Sequence, residues 1–222
     1  MRNFKAVIFD LDGVITDTAE YHYLAWKQLG EELGIPFDRE FNETLKGVSR
    51  MDSLERILTL GGRKDDFGME EKEHLATKKN DHYVDLIKHI SPTDILPGIE
   101  QLLKELRQKG YKIAMASASK NAMTVTKSLG LIDYFDHIVD AATVINSKPN
   151  PEVFLKAAES IDVLPEACIG IEDASAGITA INDAGMYSVG IGTDIGLNHA
   201  KTVIPSTILL TIDVIEGIQD ET

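Results

Sequence analysis

Cysteine is almost missing from this 222-residue chain. The single Cys168 lies in an apolar run, which excludes a disulfide framework and predicts a buried core thiol rather than a nucleophile. Long hydrophobic runs are missing too. No apolar stretch approaches the roughly 18 residues of a membrane span, and the N-terminal run is far too short for a secretory signal, so a cytoplasmic location is expected. Positive charge is scarce: 22 Lys and Arg stand against 36 Asp and Glu, a net charge of −14 spread along the chain rather than gathered in a tail. That balance argues against nucleic acid or an anionic membrane surface as partner. An anionic small substrate remains compatible, given a metal and a few well-placed Lys, Arg or helix N-termini. Repeats and low-complexity tracts are also lacking. No helical pattern carries a second uninterrupted apolar face, so a monomer is expected.

What is present is organised around Phe9-Asp10-Leu11-Asp12-Gly13-Val14-Ile15-Thr16-Asp17-Thr18. The preceding run, Ala6 to Phe9, has no polar alternation, which reads as a strand buried on both faces of a parallel sheet. Asp10 and Asp12 are two residues apart. On extended backbone they face the same side just past the strand's C-terminal end, where open α/β sheets place ligands. Carboxylates this close require that one be protonated, that a cation sit between them, or that water separate them.

From Thr18 to about Ile90 the periodicity is helical. His22, Ala25, Trp26, Leu29 and Leu33 form one stripe, ended by Gly34-Ile35-Pro36. Ser49-x-x-Asp52 opens a second helix through Leu54, Ile57 and Leu58, closed by Gly61-Gly62. A third places Leu75, Tyr83, Leu86, Ile87 and Ile90 on one face before Ser91-Pro92. An amphipathic helix over Pro97 to Lys109 follows. Short apolar runs then alternate with helical patterns: 112–116 then 122–129, 167–171 then 176–184, then 188–191. The segment from Gly192 to Thr222 reads as a loop, an edge strand and a final helix. The predicted organisation is an α/β core, residues 1–16 and 93–222, interrupted by an inserted all-helical cap at 17–92.

Strand ends in a parallel sheet share one edge. Asp10 and Asp12, the Ser117-Ala118-Ser119-Lys120 run and Glu172-Asp173 therefore converge there, joined by Lys148 in Ser147-Lys148-Pro149-Asn150-Pro151. Four acids around one point call for a hard divalent cation, and Mg²⁺ with oxygen ligands is the natural choice. The Ser117 hydroxyl, nearby backbone N–H groups and Lys148 supply donors for anionic oxygens. Such an inventory suits phosphoryl transfer to a carboxylate.

These residues resemble the four motifs of the haloacid dehalogenase superfamily of phosphotransferases, over essentially the whole chain. The resemblance implies a Rossmann-like parallel sheet with helices on both faces, Asp10 as the carboxylate that becomes phosphorylated, and Asp12 as general acid and base. It also implies Ser117, Ala118 and Lys148 as phosphate-stabilising groups. Mg²⁺ would be held by the side chains of Asp10 and Asp173, the Asp12 carbonyl and, directly or through water, Glu172. Where the metal motif of such enzymes often continues with Ser then Gln, this chain has Ala174-Ser175.

The runs Asp10 to His22, Leu45 to Arg50 and Ser117 to Asn121 are similar to those of the superfamily's sugar-phosphate mutases. The resemblance implies interconversion of β-D-glucose 1-phosphate and glucose 6-phosphate through β-glucose 1,6-bisphosphate, with that bisphosphate or another phosphoryl donor as primer. It places Thr18, His22, Lys46, Gly47, Val48, Arg50, Ser119, Lys120 and Asn121 on the substrate, with Arg50 on the phosphate that is not reacting. The charged loop at Lys46 to Arg50 fits independently, because a substrate that turns round and rebinds needs a second anion site. Closure of the cap about Val14 to Thr16 and Ser91 to Pro97 would exclude water. Two alternatives share the core residues: a Mg²⁺-dependent phosphatase of a hexose or polyol phosphate, and a non-catalytic phosphoacceptor. Asp12 argues against the second. His22 reads either as a partner of Asp12 or as a half-buried structural histidine, Trp26 as cap core or sugar-facing aromatic, and the remaining histidines as surface.

Overall fold

The computed structural model describes residues 3–220; Glu221 and Thr222, the last of the closing acidic segment, lie outside them. Strand β1 (Ala6–Phe9) is fully buried, as its unbroken apolar run requires, and occupies the middle of a parallel sheet. The sheet is completed by β2 (Lys112–Met115), β3 (His137–Ile138), β4 (Cys168–Glu172), β5 (Tyr187–Ile191) and β6 (Thr202–Ile204), in the order β3-β2-β1-β4-β5-β6. Phe9 is in register with Met115 on one side and Ile171 on the other, so the three central strands end level.

The period of two along β1 divides the core. Val7 and Phe9 face a cluster that includes Leu102, Leu103 and Leu106 of α5 (Ile99–Gln108) and Ile215 of α9 (Ile212–Asp220). Ala6 and Ile8 face the other side, against Phe154 and Ala157 of α7 (Glu152–Ser160) and Ile178 and Ile181 of α8 (Ser175–Asp183). Helix α6 (Ala122–Ser128) covers the first face beyond β2.

Between β1 and β2 lie α1 (Ala19–Glu32), α2 (Arg39–Glu43), α3 (Arg50–Leu60) and α4 (Met69–Leu86). They share a core of their own, built from Trp26, Leu29, Ile35, Leu54, Ile57, Leu58 and Ala76. The chain enters and leaves this helical unit by two segments that run side by side. Thr16 bridges Ile95, Leu96 N–H donates to the Ile15 carbonyl at 2.9 Å, and the Thr16 hydroxyl donates to the Asp94 carbonyl at 2.7 Å.

The structure corrects three details of the sequence reading. Helix α2 and the two-residue β3 are too short to leave a periodic signature; α2 is set instead by Asp38, whose side chain accepts from Phe41 N–H at 2.8 Å. The face expected to unite Leu75 with Tyr83 and Ile87 is divided. Leu75 packs in the helical core, whereas Tyr83 and Ile87 belong to the main core, so α4 stitches the two together. Ser49 does cap α3, accepting from Asp52 N–H at 3.2 Å, but the Asp52 carboxylate turns away from the Ser49 N–H that a reciprocal box would employ. Cys168 is buried and its thiol is pushed up to about 12 by burial, an inert core residue. No helix among the described residues is long and apolar enough to cross a membrane.

Candidate active site

The level strand ends put Asp10, Ala116 and Glu172 at one edge. Asp10 is only 4% exposed, and its N–H continues the ladder to the Ile171 carbonyl at 2.9 Å. Lys148 reaches it from the loop before α7: Nζ lies 2.9 Å from Asp10 Oδ1 and 3.5 Å from Glu172 Oε1, above the Phe154 ring. Burial pulls the Lys148 pKa down, yet the charges of Asp10 and Glu172 outweigh it, so the ammonium is held above its ordinary range. A solvated surface lysine would not be 1% exposed.

Two glycines make room for the acids. Gly13 has φ +72°, and a Cβ there would lie 2.1 Å from Asp173 Oδ2; a Cβ on Gly177 of α8 would lie 2.1 Å from the Glu172 side chain. Oxygens of Asp10, Glu172 and Asp173 can all lie within 4.8 Å of one another. Glu172 is fully buried, and its Oε2 has no hydrogen-bond partner. Burial, then the Asp10 charge, raises Glu172 well above the usual carboxylate range and Asp173 to about 7. Three hard oxygen donors crowded together, one of them an orphaned buried atom, fit a divalent cation such as Mg²⁺.

The Asp12 side chain stands apart from this trio. It accepts a hydrogen bond from the Thr18 hydroxyl, lies 3.9 Å from His22 Nε2, and is pushed up to about 7, first by burial and then by Asp10. Lys79 Nζ sits 2.7 Å from His22 Nδ1. This contact joins His22 to Lys79 through Nδ1, while Nε2 is the ring nitrogen that faces Asp12. Burial first, and then the neighbouring cations, drives both His22 and Lys79 well below their ordinary pKa values. Tyr83 stacks on His22 with centroids 4.0 Å apart, and Lys79 rests over Trp26 at 4.6 Å.

A single cleft runs from Asp10, Asp12 and Asp173 to the helical unit. His22, Lys46, Gly47, Val48 and Arg50 line it from the helical side, and Ser117, Ala118, Ser119, Lys120 and Asn121 from the sheet side. Arg50 Nη2 donates to Asn80 Oδ1 at 2.7 Å, and Asn121 Nδ2 donates to the same oxygen at 2.8 Å. Lys46 pairs with Glu43 at 2.6 Å.

Some expected placements differ. Thr18 is fully buried beneath Asp12 rather than lining the cleft, so its geometry serves Asp12. Ser117 lines the cleft and accepts from Ser119 N–H at 3.1 Å in the turn ahead of α6, whose first-cap position is Asn121. Trp26 both packs in the helical core and lines the cleft. Of the histidines read as surface, His82 is half-buried with an unpartnered Nδ1. The sequence reading missed Lys79, Asn80, Asn42 and Ser53. For Lys79 a signal existed: it falls in the buried stripe with Ala76 and Tyr83 on α4, where an unpaired lysine is costly.

Comparison with known proteins finds that the haloacid dehalogenase-like hydrolase family model matches residues 4–185. The chain belongs to this family. Among haloacid dehalogenase-like proteins, it is 50% identical to β-phosphoglucomutase of Bacillus subtilis over 95% of this chain and 93% of that one. The crystal structure of β-phosphoglucomutase from Clostridium difficile superposes with a TM-score of 0.97 at 52% identity, covering 98% of both chains. A phosphorylated carbohydrates phosphatase of Thermotoga maritima is more distant, at 29% identity over 90% of each chain.

Proposed function

We propose that the chain is a β-phosphoglucomutase, interconverting β-D-glucose 1-phosphate and glucose 6-phosphate. The observation that carries this reading is a cleft with an anion-binding group at each end. Lys148 stands over Asp10, and Arg50 lines the cleft together with Lys120 and Asn121, sharing the Asn80 oxygen with the latter. A monophosphate phosphatase needs only the first end; a bisphosphate that must be held in two orientations needs both.

In the proposed cycle, an Asp10 carboxylate oxygen attacks phosphorus at C1 of β-glucose 1,6-bisphosphate. The bond from phosphorus to the sugar oxygen breaks, and Asp12 delivers a proton to that oxygen, releasing glucose 6-phosphate. β-Glucose 1-phosphate then presents its 6-hydroxyl to phosphorylated Asp10. Asp12 takes the hydroxyl proton, the oxygen displaces the carboxylate, and the bisphosphate is regenerated for the next turn. A pKa near 7 lets Asp12 act in both directions. Lys148, the Ser117 hydroxyl and the Ala118 N–H orient the transferring group and offset its charge. Asp10, Glu172 and Asp173, with the Asp12 carbonyl, would hold Mg²⁺, which when bound neutralises phosphoryl oxygens.

Residues 17–92 act in this reading as a cap domain over the core of 1–16 and 93–222. Its closure about the paired segments near Thr16 and Ile95 keeps water from phosphorylated Asp10, and Gly47, Val48, Lys46, Ser119 and His22 surround the sugar. The test is Arg50→Ala, assayed with a trace of bisphosphate primer and with a simple phosphate monoester. Loss of isomerisation with retained monoester cleavage supports the mutase. Equal loss in both assays overturns the second anion site.

A further inference from the structure

Among the described residues, side-chain hydrogen bonds tie α3 and α4 to the loops beyond the sheet's strand ends. One is the Asn80–Asn121 bond, at 2.8 Å, whose acceptor also holds Arg50. An incoming phosphate on Arg50 and Asn121 competes for those same donors, so this tie is consumed by the ligand it awaits. The second joins Ser147, the residue before Lys148, to Asp52 in the first turn of α3. Ser147 Oγ lies 2.5 Å from Asp52 Oδ2, and Ser49 Oγ lies 2.6 Å from the same oxygen.

That carboxylate would serve a capping box if it accepted from the Ser49 backbone N–H; instead it collects two hydroxyl donors, one of them from the loop before α7. The Ser147 carbonyl meanwhile closes the turn that carries Lys148, accepting from Asn150 N–H at 2.9 Å. A single residue thus anchors the lysine turn through its backbone and the Arg50 helix through its side chain. Both partners are solvent-accessible at the rim, where water can replace the bond when the cleft opens.

We propose that Ser147 and Asp52 form a latch that fixes the Arg50 end of the helical unit to the Lys148 turn and holds the cleft shut while Asp10 carries phosphate. They are positioning residues, and the inference rests on the cap-closure reading above. The latch leaves the donors of the distal phosphate site free, so it persists when ligand has displaced the Asn80–Asn121 tie. Its contribution is that of one charge-assisted hydrogen bond in water, enough to change the closed-to-open ratio about fivefold to tenfold.

The experiment compares Ser147→Ala, Asp52→Ala, the double variant and Ser147→Thr with the parent chain. Amide hydrogen exchange is followed in the ligand-free protein across 46–53 and 144–150. Inorganic phosphate released per glucose 6-phosphate formed is followed in primed turnover. Ser147→Ala is expected to speed exchange in both segments and to raise phosphate release about fivefold to tenfold. Ser147→Thr is expected to restore both, and the double variant to match Ser147→Ala rather than sum with Asp52→Ala. Unchanged exchange at 46–53 in Ser147→Ala overturns the latch, since capping by Ser49 alone does not feel Ser147. Faster exchange with unchanged phosphate release overturns its role in excluding water. If the parent chain itself only hydrolyses, the mutase reading fails while the exchange data still decide whether the latch exists.

Discussion

Replacing Lys148 by Met keeps most of the stem's volume and deletes only the ammonium. Asp10 and Glu172, 2.9 and 3.5 Å from Nζ, then face each other and Asp173 with no buried cation between them. Removing one partner from a buried charged cluster costs about 3–5 kcal/mol. For a chain of this size that lowers the melting temperature by roughly 10 °C. The deficit has a pH signature. Glu172 is already raised and Asp173 sits near 7, so mild acid lets the orphaned carboxyls take up protons and relieves the repulsion. The loss is therefore larger near about pH 8 than below about pH 6. Added Mg²⁺ restores stability by mass action at the same acids. It does not restore turnover, because the donor to the transferring group is gone, a loss of about 10²–10³ in kcat. The assay is thermal unfolding at both pH values with and without Mg²⁺, alongside primed turnover. Unchanged metal-free stability near about pH 8, or turnover recovered with Mg²⁺, would refute the assignment of Lys148 as the cluster's balancing charge.

Further outcomes follow from the same geometry. In the metal-free parent chain, Asp173 has a folded pKa of about 7 against 3.8 unfolded, and Glu172 shifts the same way. The folded state binds the extra protons, so stability falls as pH rises through that window, and Mg²⁺ flattens the slope; denaturant titrations across pH check this. Gly13→Ala must accept φ +72° and a Cβ 2.1 Å from Asp173 Oδ2, and is expected to weaken Mg²⁺ binding at least tenfold in calorimetric titration, with a fold cost of only about 1–2 kcal/mol. Lys79→Met replaces the buried amine over Trp26 with an apolar side chain of similar length. It is expected to leave stability equal or higher while raising KM for the sugar phosphate, and the fluorescence of Trp26, the chain's sole tryptophan, reports the binding change directly.

The fold was legible where burial is continuous. Ala6 to Phe9 reads as a central parallel strand, and once β1, β2 and β4 are strands, their level ends bring Asp10 and Glu172 together without any contact being visible in the sequence. The helical insertion was legible as periodicity between two such strands. What stayed hidden depends on where side chains turn in three dimensions. The stripe of α4 marks Lys79 as buried, but its place between His22 and Trp26 emerges only when α1 and α4 pack. Gly177 is an unremarked helix glycine until the Glu172 side chain fills the space its missing Cβ leaves. Asp52 matches a capping pattern by spacing, yet the fold gives its carboxylate a partner 95 residues away. Short elements such as α2 and β3 escaped because neither is long enough to repeat a period.

The central claim is that phosphate taken up by Asp10 goes to a sugar hydroxyl rather than to water. Phosphorus NMR of the protein with Mg²⁺, β-glucose 1-phosphate and a trace of hexose bisphosphate tests it in one spectrum. Glucose 6-phosphate is expected to accumulate as the substrate signal falls, with inorganic phosphate at the level of the primer. Inorganic phosphate growing in step with substrate loss would contradict it, and would make the chain a phosphatase whose Arg50 end selects substrates without turning them round.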